Sequence, residues 1–298
     1  MYTIIPDLHA DYDRLEKSLK LVSSDEVIFL GDLIDAGYAT NTPNDLKVLK
    51  QVRNLMENDG ARCILGNHEL NAILFHRLST GTGKPLRAHD PSKIRQHQSF
   101  INTFGVATPE ALQWTTWMLN KMPLWIDLPG LRLVHAQWDT RAIKEISKRR
   151  PTGYLKAEDL EEIADKKSAF AKAVETLTTG AEVTLPNKAT FKDKNGTSRS
   201  KVRLAWWKPQ GCTWQEMALS IEDTSMLPAE PVPESIMKNF TYSISNPPVL
   251  VGHYKMSGEL AIQSPNATSL DYPKNACIYK WKGEDKLLSS QLISIDNN

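Results

Sequence analysis

The sequence predicts an α/β protein, and three observations lead to this class. Short apolar runs alternate with amphipathic stretches through the first third of the 298 residues, as strands joined by helices do. Each apolar run ends in a polar cluster, which is typical of strands whose carboxyl ends border a ligand site. With 41% hydrophobic and 24% charged residues, the chain has ordinary globular composition and can bury a large core.

The first third contains three predicted strands with a helix after each of the first two. Tyr2 to Ile5 is an apolar run, and Asp11 to Leu21 follows as a helix with one apolar face. Glu26 to Leu30 is the second strand. Asn44 can cap a helix that runs to about residue 58, because its side chain accepts from free backbone N–H groups. The third strand is Ala61 to Leu65, which completes a βαβαβ pattern.

Further elements follow the same reasoning. Helices are predicted at Glu69 to Leu78, Ser92 to Phe104 and Pro109 to Lys121. Strands are predicted at Pro123 to Asp127, Leu131 to His135 and Val249 to Val251, and as a hairpin of Ala276 to Trp281 with Leu287 to Ile295.

Residues 150 to 240 differ in character, and we expect them to be an insertion, or cap, within a single domain of residues 1 to 298. They contain a predicted helix at Ala157 to Leu177, a turn-prone segment at Asp193 to Gly196 and a proline-rich run at Pro228 to Pro233. Lys201 to Lys208 alternates basic and apolar residues, which favours a half-buried strand. Its two tryptophans could instead stack nucleic bases.

Charge and cysteine usage exclude several classes. With 36 basic and 35 acidic residues, the formal net charge of +1 gives no field that would attract nucleic acid or an acidic membrane. Three widely spaced cysteines do not indicate a disulfide framework or a cysteine-rich zinc site. We see no leader and no apolar run near the ~20 residues of a spanning helix. We therefore expect a cytoplasmic protein.

The polar clusters that follow the strands supply metal-ligand chemistry. They are Asp7-Leu8-His9, Gly31-Asp32-Leu33-Ile34-Asp35, Gly66-Asn67-His68-Glu69, Val134-His135 and Gly252-His253. Carboxylate, imidazole and amide groups without thiolates suit Mn, Fe, Zn or Co, whereas Mg or Ca alone would not call for histidines. Six candidate ligands are too many for one catalytic zinc but fit two ions ~3.5–4 Å apart. We expect two divalent cations, with manganese the first choice.

The ordered set of motifs resembles the calcineurin-like metallophosphoesterases, and among them the branch of phosphoprotein phosphatases and symmetrical dinucleoside tetraphosphate hydrolases. The resemblance covers residues 1 to 80, 123 to 138 and 248 to 295. It implies a four-layer α/β sandwich of two mixed sheets flanked by helices. The pattern of the sequence alone would also allow a single doubly wound sheet.

The resemblance also implies a role for each residue of the motifs. Asp7 and His9 would bind one metal, Asp32 would bridge, and the other metal would be held by Asn67, His135 and His253. His68 would be the general acid, oriented by Asp35. The nucleophile would be a hydroxide bridging the two metals, and no covalent enzyme intermediate is required.

Departures from the family pattern concern phosphate recognition. Ala36 stands where many protein phosphatases of this branch carry a phosphate-gripping arginine. Arg87 and Arg95 are our candidate replacements, and Tyr254 is a further candidate substrate contact next to His253. We expect His76, His89 and His97 not to be ligands, with a solvated helix face explaining His76.

We therefore predict a metal-dependent phosphoester hydrolase acting on a phosphorylated protein or small molecule. Hydrolysis of a dinucleoside polyphosphate is the alternative within the same chemistry, because Trp206, Trp207 and Tyr254 could provide a base-stacking surface. A phosphate-binding scaffold that has lost catalysis is the alternative outside enzymology. The scaffold alternative is disfavoured because all six proposed ligand positions carry residues that can bind metal.

Overall fold

The computed structural model describes residues 1–36, 40, 42–192, 196–221, 223–238 and 240–296. In these residues the strands are β1 Tyr2–Ile5, β2 Glu26–Phe29, β3 Arg62–Cys63, β4 Trp125–Leu128, β5 Leu131–Val134, β6 Glu182–Thr184, β7 Phe191–Lys192, β8 Ser198–Arg199, β9 Lys201–Leu204, β10 Ala218–Leu219, β11 Val249–Val251, β12 Ala267–Ser269, β13 Cys277–Trp281 and β14 Leu292–Ser294. The helices are α1 Tyr12–Lys20, α2 Asp45–Asn58, α3 Asn67–Phe75, α4 Pro91–Gln96, α5 Gln98–Phe104, α6 Pro109–Lys121, α7 Thr140–Ser147, α8 Leu160–Asp165, α9 Ala169–Thr179, α10 Trp214–Met217 and α11 Glu234–Met237.

Two main sheets, both mixed, form the centre of the protein. The first has the order β14-β13-β1-β2-β3, in which β1, β2 and β3 are parallel and β13 runs antiparallel to β1. The second has the order β12-β11-β5-β4, in which β11 is parallel to both of its neighbours. The predicted α/β class is confirmed, and among the described residues two main sheets stand in place of a single doubly wound sheet.

The core lies on both faces of the first sheet because successive strand residues point in opposite directions. Ile4 and Ile28 belong to an apolar cluster that also contains Leu133 and Leu250 of the second sheet, so the two sheets pack against each other there. Their neighbours in the strands, such as Phe29, belong to a second cluster shared with the helices. One sheet is therefore covered by the other sheet on one face and by helices on the other.

Most predicted elements are present; two predicted helices are broken, and the strand predicted over residues 287 to 295 forms only at Leu292–Ser294, after a 3-10 helix at Ser289–Gln291. Asn44 caps α2 by accepting from the Lys47 N–H at 3.0 Å, as expected. The helix predicted over residues 92 to 104 is broken at His97, where α4 ends and α5 begins. The helix predicted over residues 157 to 177 is broken after α8, where Lys166 adopts a left-handed φ of 59°. Neither break has the proline or glycine that would signal it in sequence.

The predicted insertion contains two kinds of structure. Up to α9, its apolar side chains, such as Phe170 and Leu177, join the main core. Beyond α9 a small sheet of order β10-β9-β6 has its own apolar cluster, to which Val202 and Trp214 contribute. In the turn-prone segment, residues 193 to 195 lie outside the described residues. No helix in the described part of the chain is long and apolar enough to cross a membrane.

Candidate metal centre and active site

The polar clusters that follow five strands meet at one edge of the two packed sheets. Strands β1, β2 and β3 are parallel, so their carboxyl ends lie on the same side, and β5 and β11 of the second sheet end at the same place. His135 follows β5 directly and His253 lies two residues beyond β11. The side chains of Asp32, Asn67, His135 and His253 consequently contact one another across 221 residues of sequence.

One group of these side chains is centred on Asn67. Its Oδ1 lies 3.1 Å from Nε2 of His135 and 2.7 Å from Nδ1 of His253. Nε2 of His135 is also 3.4 Å from Oδ1 of Asp32. The ligand atoms of Asp32, His135 and His253 all lie within 4.8 Å of one another, which is close enough to surround one ion.

A second group shares Asp32 with the first. It consists of Asp32, His9 and His68, whose ligand atoms also lie within 4.8 Å of one another. Asp7 is held at the boundary between the two sheets, because both of its carboxylate oxygens accept from the His253 N–H, at 3.1 and 3.0 Å. Asp32 is therefore the common member of two adjacent donor groups, the arrangement that a bridging carboxylate needs.

Backbone carbonyls fix which imidazole nitrogen His135 and His9 turn toward the site. Nδ1 of His135 lies 2.7 Å from the Leu30 carbonyl and donates to it, so Nε2 is the nitrogen on the side of Asn67 and Asp32. Nδ1 of His9 similarly lies 3.1 Å from the carbonyl of Asp35. Metal-binding histidines are oriented in this way by a carbonyl behind the ring. Burial, followed by the charge of His68, lowers the pKa of His9 to about 4, which leaves the ring neutral.

Backbone strain is concentrated in the same residues. His9, Asp32, Asp35 and His253 have φ between 48° and 65°, a left-handed conformation that is uncommon outside glycine. Such strain persists where the surroundings impose it, and it clusters at functional sites. The buried carboxylate of Glu69 supplies part of that constraint for Asp32. It accepts from the N–H groups of Asp32 and Leu33, each at 2.8 Å, and of Gly66 at 3.1 Å.

His68 and Asp35 form a buried ion pair beside Asp32. Nδ1 of His68 lies 2.8 Å from Oδ2 of Asp35, and its Nε2 faces Oδ2 of Asp32 at 3.9 Å. Burial alone would lower the pKa of His68, but Asp32 and Asp35 outweigh it and raise the pKa to about 9. The ring is an imidazolium at neutral pH, with one N–H directed at the centre of the site.

The electrostatics of the site fit cations. Asp7, Asp32 and Asp271 are buried together, and neither carboxylate oxygen of Asp271 has a hydrogen-bond partner among the described residues. Burial raises the pKa of Asp271 to about 6, and burial together with Asp271 also raises the pKa of Asp7. Buried carboxylates of this kind need a compensating charge, and Lys255 and Arg14 supply part of it for Asp271. A pair of divalent ions between the donor groups would supply it, so the residues present fit a binuclear metal centre.

The three candidate substrate contacts differ in position. Arg87 is half buried, on the side of Asp35, and donates to the Gln96 side chain at 2.6 Å. Arg95 is exposed on α4 and contacts no site residue in the part of the chain that the structure describes. Tyr254 is buried, with its ring packed 5.5 Å from that of Trp207 and its hydroxyl against Gly180. Packing in the core, rather than an open pocket, explains Tyr254.

The two tryptophans of the insertion are also core residues. Lys201 to Leu204 is a strand with alternating burial, as predicted, but Trp206 and Trp207 lie beyond its end and are 0% and 5% exposed. Both rings belong to the main apolar cluster. A buried ring presents no face to a base, so the stacking surface suggested by the sequence is not formed by these residues.

Several residues near the site had no role in our sequence analysis. Glu69 belongs to the Gly-Asn-His-Glu motif, which was the available signal. Asp271 follows β12 by two residues, so the rule that polar residues end strands could have found it. His97, which we predicted only not to be a metal ligand, is 1% exposed and lies 2.6 Å from Oδ1 of Asp35. His76 is 2% exposed, so the predicted solvated face is wrong.

Comparison with known proteins agrees with the motifs. The family model of the calcineurin-like phosphoesterases matches residues 2–151. A metallophosphoesterase from Sphaerobacter thermophilus is 23% identical with a TM-score of 0.32 over 46% of each chain, so this chain spans less than half of that protein. A cold-active protein-tyrosine phosphatase from a Shewanella species is 13% identical (93% of this chain, 74% of that one, TM-score 0.47). A protein serine/threonine phosphatase from Saccharomyces cerevisiae is also 13% identical (98% and 78%, TM-score 0.39).

No curated protein matches the chain significantly. The family match covers half of the chain and includes the first three motifs, from Asp7 to Glu69. The chain therefore belongs to the calcineurin-like phosphoesterase family.

Proposed function

We propose that the protein hydrolyses phosphomonoesters at a binuclear metal centre. The observation that carries the proposal is that two groups share Asp32, with His9 in one and His135 and His253 in the other, while His68, the remaining member of the first group, is paired with Asp35 at 2.8 Å. The family typically consists of metal-dependent hydrolases, and a phosphoester substrate follows from membership. A phosphorylated protein or small molecule is the substrate class that we infer.

The residues divide into ligands and an acid. Asp7 and His9 would hold one cation, Asp32 both, and Asn67, His135 and His253 the other. When bound, the two cations would neutralise the phosphoryl oxygens and lower the pKa of a water molecule. The nitrogen and oxygen donors suit manganese, iron, zinc or cobalt, and manganese is the ion that we propose.

His68 acts on the leaving group in this proposal. Its Nε2–H faces the centre of the site, so the proton can pass to the leaving-group oxygen as the P–O bond breaks. Asp35 holds Nδ1 and keeps the ring in the required orientation. With Ala36 in place of an arginine, Arg87 is our candidate for a phosphate contact, because it lies on the side of Asp35.

The dinucleoside polyphosphate alternative is disfavoured by burial. It depends on a base-stacking surface from Trp206, Trp207 and Tyr254, and these residues are at most 5% exposed. The scaffold alternative is disfavoured because every proposed ligand position carries a residue able to bind metal, and both residues of the His68–Asp35 pair are present.

We further propose that the domain is a single four-layer sandwich and that the region beyond α9 is a cap. The separate apolar cluster of that region supports the proposal, since it lets β6, β9 and β10 fold as a unit beside the main core. Its link to the core includes Arg203, whose Nε donates to the Thr179 carbonyl at 2.6 Å.

A substrate panel tests the function. We expect the protein, loaded with Mn²⁺, to hydrolyse an aryl phosphate and a phosphopeptide faster than a dinucleoside tetraphosphate. His68→Asn should lower kcat ~10²–10⁴-fold while metal content, measured by elemental analysis, stays unchanged. Turnover of the dinucleotide alone would favour the alternative, and an unchanged kcat would remove His68 from its role.

A further inference from the structure

Two buried histidines extend the His68–Asp35 pair into the interior. Asp35 uses both carboxylate oxygens: Oδ2 lies 2.8 Å from Nδ1 of His68, and Oδ1 lies 2.6 Å from Nδ1 of His97. Behind it, Nε2 of His97 lies 2.9 Å from Nε2 of His76. Nδ1 of His76 accepts from the backbone N–H of Ala107 at 2.9 Å. The four side chains form one continuous line of hydrogen bonds.

The backbone amide at the far end determines the direction of every bond in this line. Nδ1 of His76 accepts from Ala107, so the proton of that neutral ring must be on Nε2. Nε2 of His76 then donates to Nε2 of His97, which therefore carries no proton. His97 must be the Nδ1–H tautomer, and it donates to Asp35. Both oxygens of Asp35 are left as acceptors, and His68 must donate its Nδ1–H to the second one.

The surroundings keep this arrangement in place. His76 and His97 are 2% and 1% exposed, and the ring of His97 stacks on that of Phe100 with centroids 4.7 Å apart. Burial lowers the pKa of His76, so its ring stays neutral at pH 7. Asp35 accepts from both rings as a carboxylate does, through Oδ2 from His68 and through Oδ1 from His97.

We propose that His97 and, through it, His76 are positioning residues for the general acid: they fix Asp35 as a doubly hydrogen-bonded carboxylate and so hold the N–H of His68 toward the leaving group. This inference rests on the proposed function. The helix is interrupted at His97, between α4 and α5, and the ring of His97 contacts Asp35 at this point. Neither histidine touches the substrate.

Leaving-group dependence tests the proposal, because a general acid matters only for a poor leaving group. His97→Leu removes the donor to Asp35, and His97→Asn keeps an N–H near the position of Nδ1. For phenyl phosphate, which needs protonation of its leaving group, we expect His97→Leu to lower kcat roughly 10- to 100-fold and His97→Asn to recover most of it. For 2,4-dinitrophenyl phosphate, which does not, kcat should change less than about 3-fold. Equal losses on both substrates would overturn the proposal.

A spectroscopic measurement covers the case in which His97→Leu fails to fold. In the ¹⁵N-labelled, Zn²⁺-loaded wild type, imidazole ¹H–¹⁵N correlations should show His97 with its proton on Nδ1 and His76 with its proton on Nε2. His97 protonated on Nε2 would refute the line of hydrogen bonds. If the wild type hydrolyses neither aryl phosphate, the proposed function fails, and these tautomers decide the inference on the hydrogen bonds alone.

Discussion

Replacing Gly252 with alanine tests where the Asp7 carboxylate lies. A Cβ at residue 252 would overlap Oδ1 of Asp7 and lie 3.1 Å from its Cγ. The backbone of Gly252 is not among the residues with positive φ, so alanine is allowed there and the effect comes from the contact alone. Asp7 would have to rotate away from the His253 N–H that now donates to both of its oxygens.

The expected loss has two parts. Giving up a hydrogen bond to a charged group costs about 1.5–3 kcal/mol, and overpacking adds about 1–3 kcal/mol. The free energy of unfolding of the metal-free protein should therefore fall by roughly 2.5–6 kcal/mol. Displacing a proposed ligand should also weaken the affinity for Mn²⁺ by at least ~10-fold, as loss of orientation does in other metal sites.

Urea unfolding and calorimetric titration with Mn²⁺ measure the two effects. Gly81→Ala is the matched control, because its Cβ would meet only Ser79 Oγ at 3.9 Å and its φ is also not positive. We expect that variant to be unchanged or slightly stabilised. Wild-type stability and metal affinity in Gly252→Ala would show that Asp7 does not occupy the position described.

Two further changes test other features. Burial raises the pKa of Asp45 to about 6, against ~3.9 when unfolded. Between these values the folded state keeps a proton that the unfolded state has lost, so stability falls as pH rises. Asp45→Asn keeps an acceptor for the Asp35 N–H. Its free energy of unfolding, measured with urea, should be up to ~3 kcal/mol higher than that of the wild type at pH 8 and equal to it near pH 4. An equal difference at both pH values would refute the assignment. Trp206→Ala should lower the free energy of unfolding by about 3–5 kcal/mol because the ring is buried in the core. A variant with wild-type stability and a changed KM would contradict this assignment.

The strand framework could be predicted because it depends on local pattern. Tyr2–Ile5 and Val249–Val251 were predicted with the bounds that the structure has, and both are short apolar runs that end in polar residues. The meeting of Asp32 and Asn67 follows from the same reasoning, since parallel strands of one sheet end at a common edge, whereas His135 reaches them from the second sheet. Their roles as metal ligands stay a prediction.

The interior partners of the site could not be predicted because they depend on tertiary contacts. His97 lies in a sequence that reads as one continuous helix, and the break there accompanies a contact with Asp35, 62 residues away. The position of His76 in the predicted helix does not indicate whether its side chain is buried. Its burial results from tertiary packing, including the contact with the ring of Phe100. For Trp206 the sequence suggested a functional surface where the structure has core packing. An aromatic residue beside basic residues is compatible with both, so the sequence pattern could not distinguish them.

Anomalous diffraction from crystals of the Mn²⁺-loaded protein would show whether two metal ions share Asp32. We expect two peaks per chain about 3.5–4 Å apart, with a carboxylate oxygen of Asp32 within bonding distance of both and Asn67, His135 and His253 around one of them. A single peak, or peaks that lie away from Asp32, would contradict the binuclear centre.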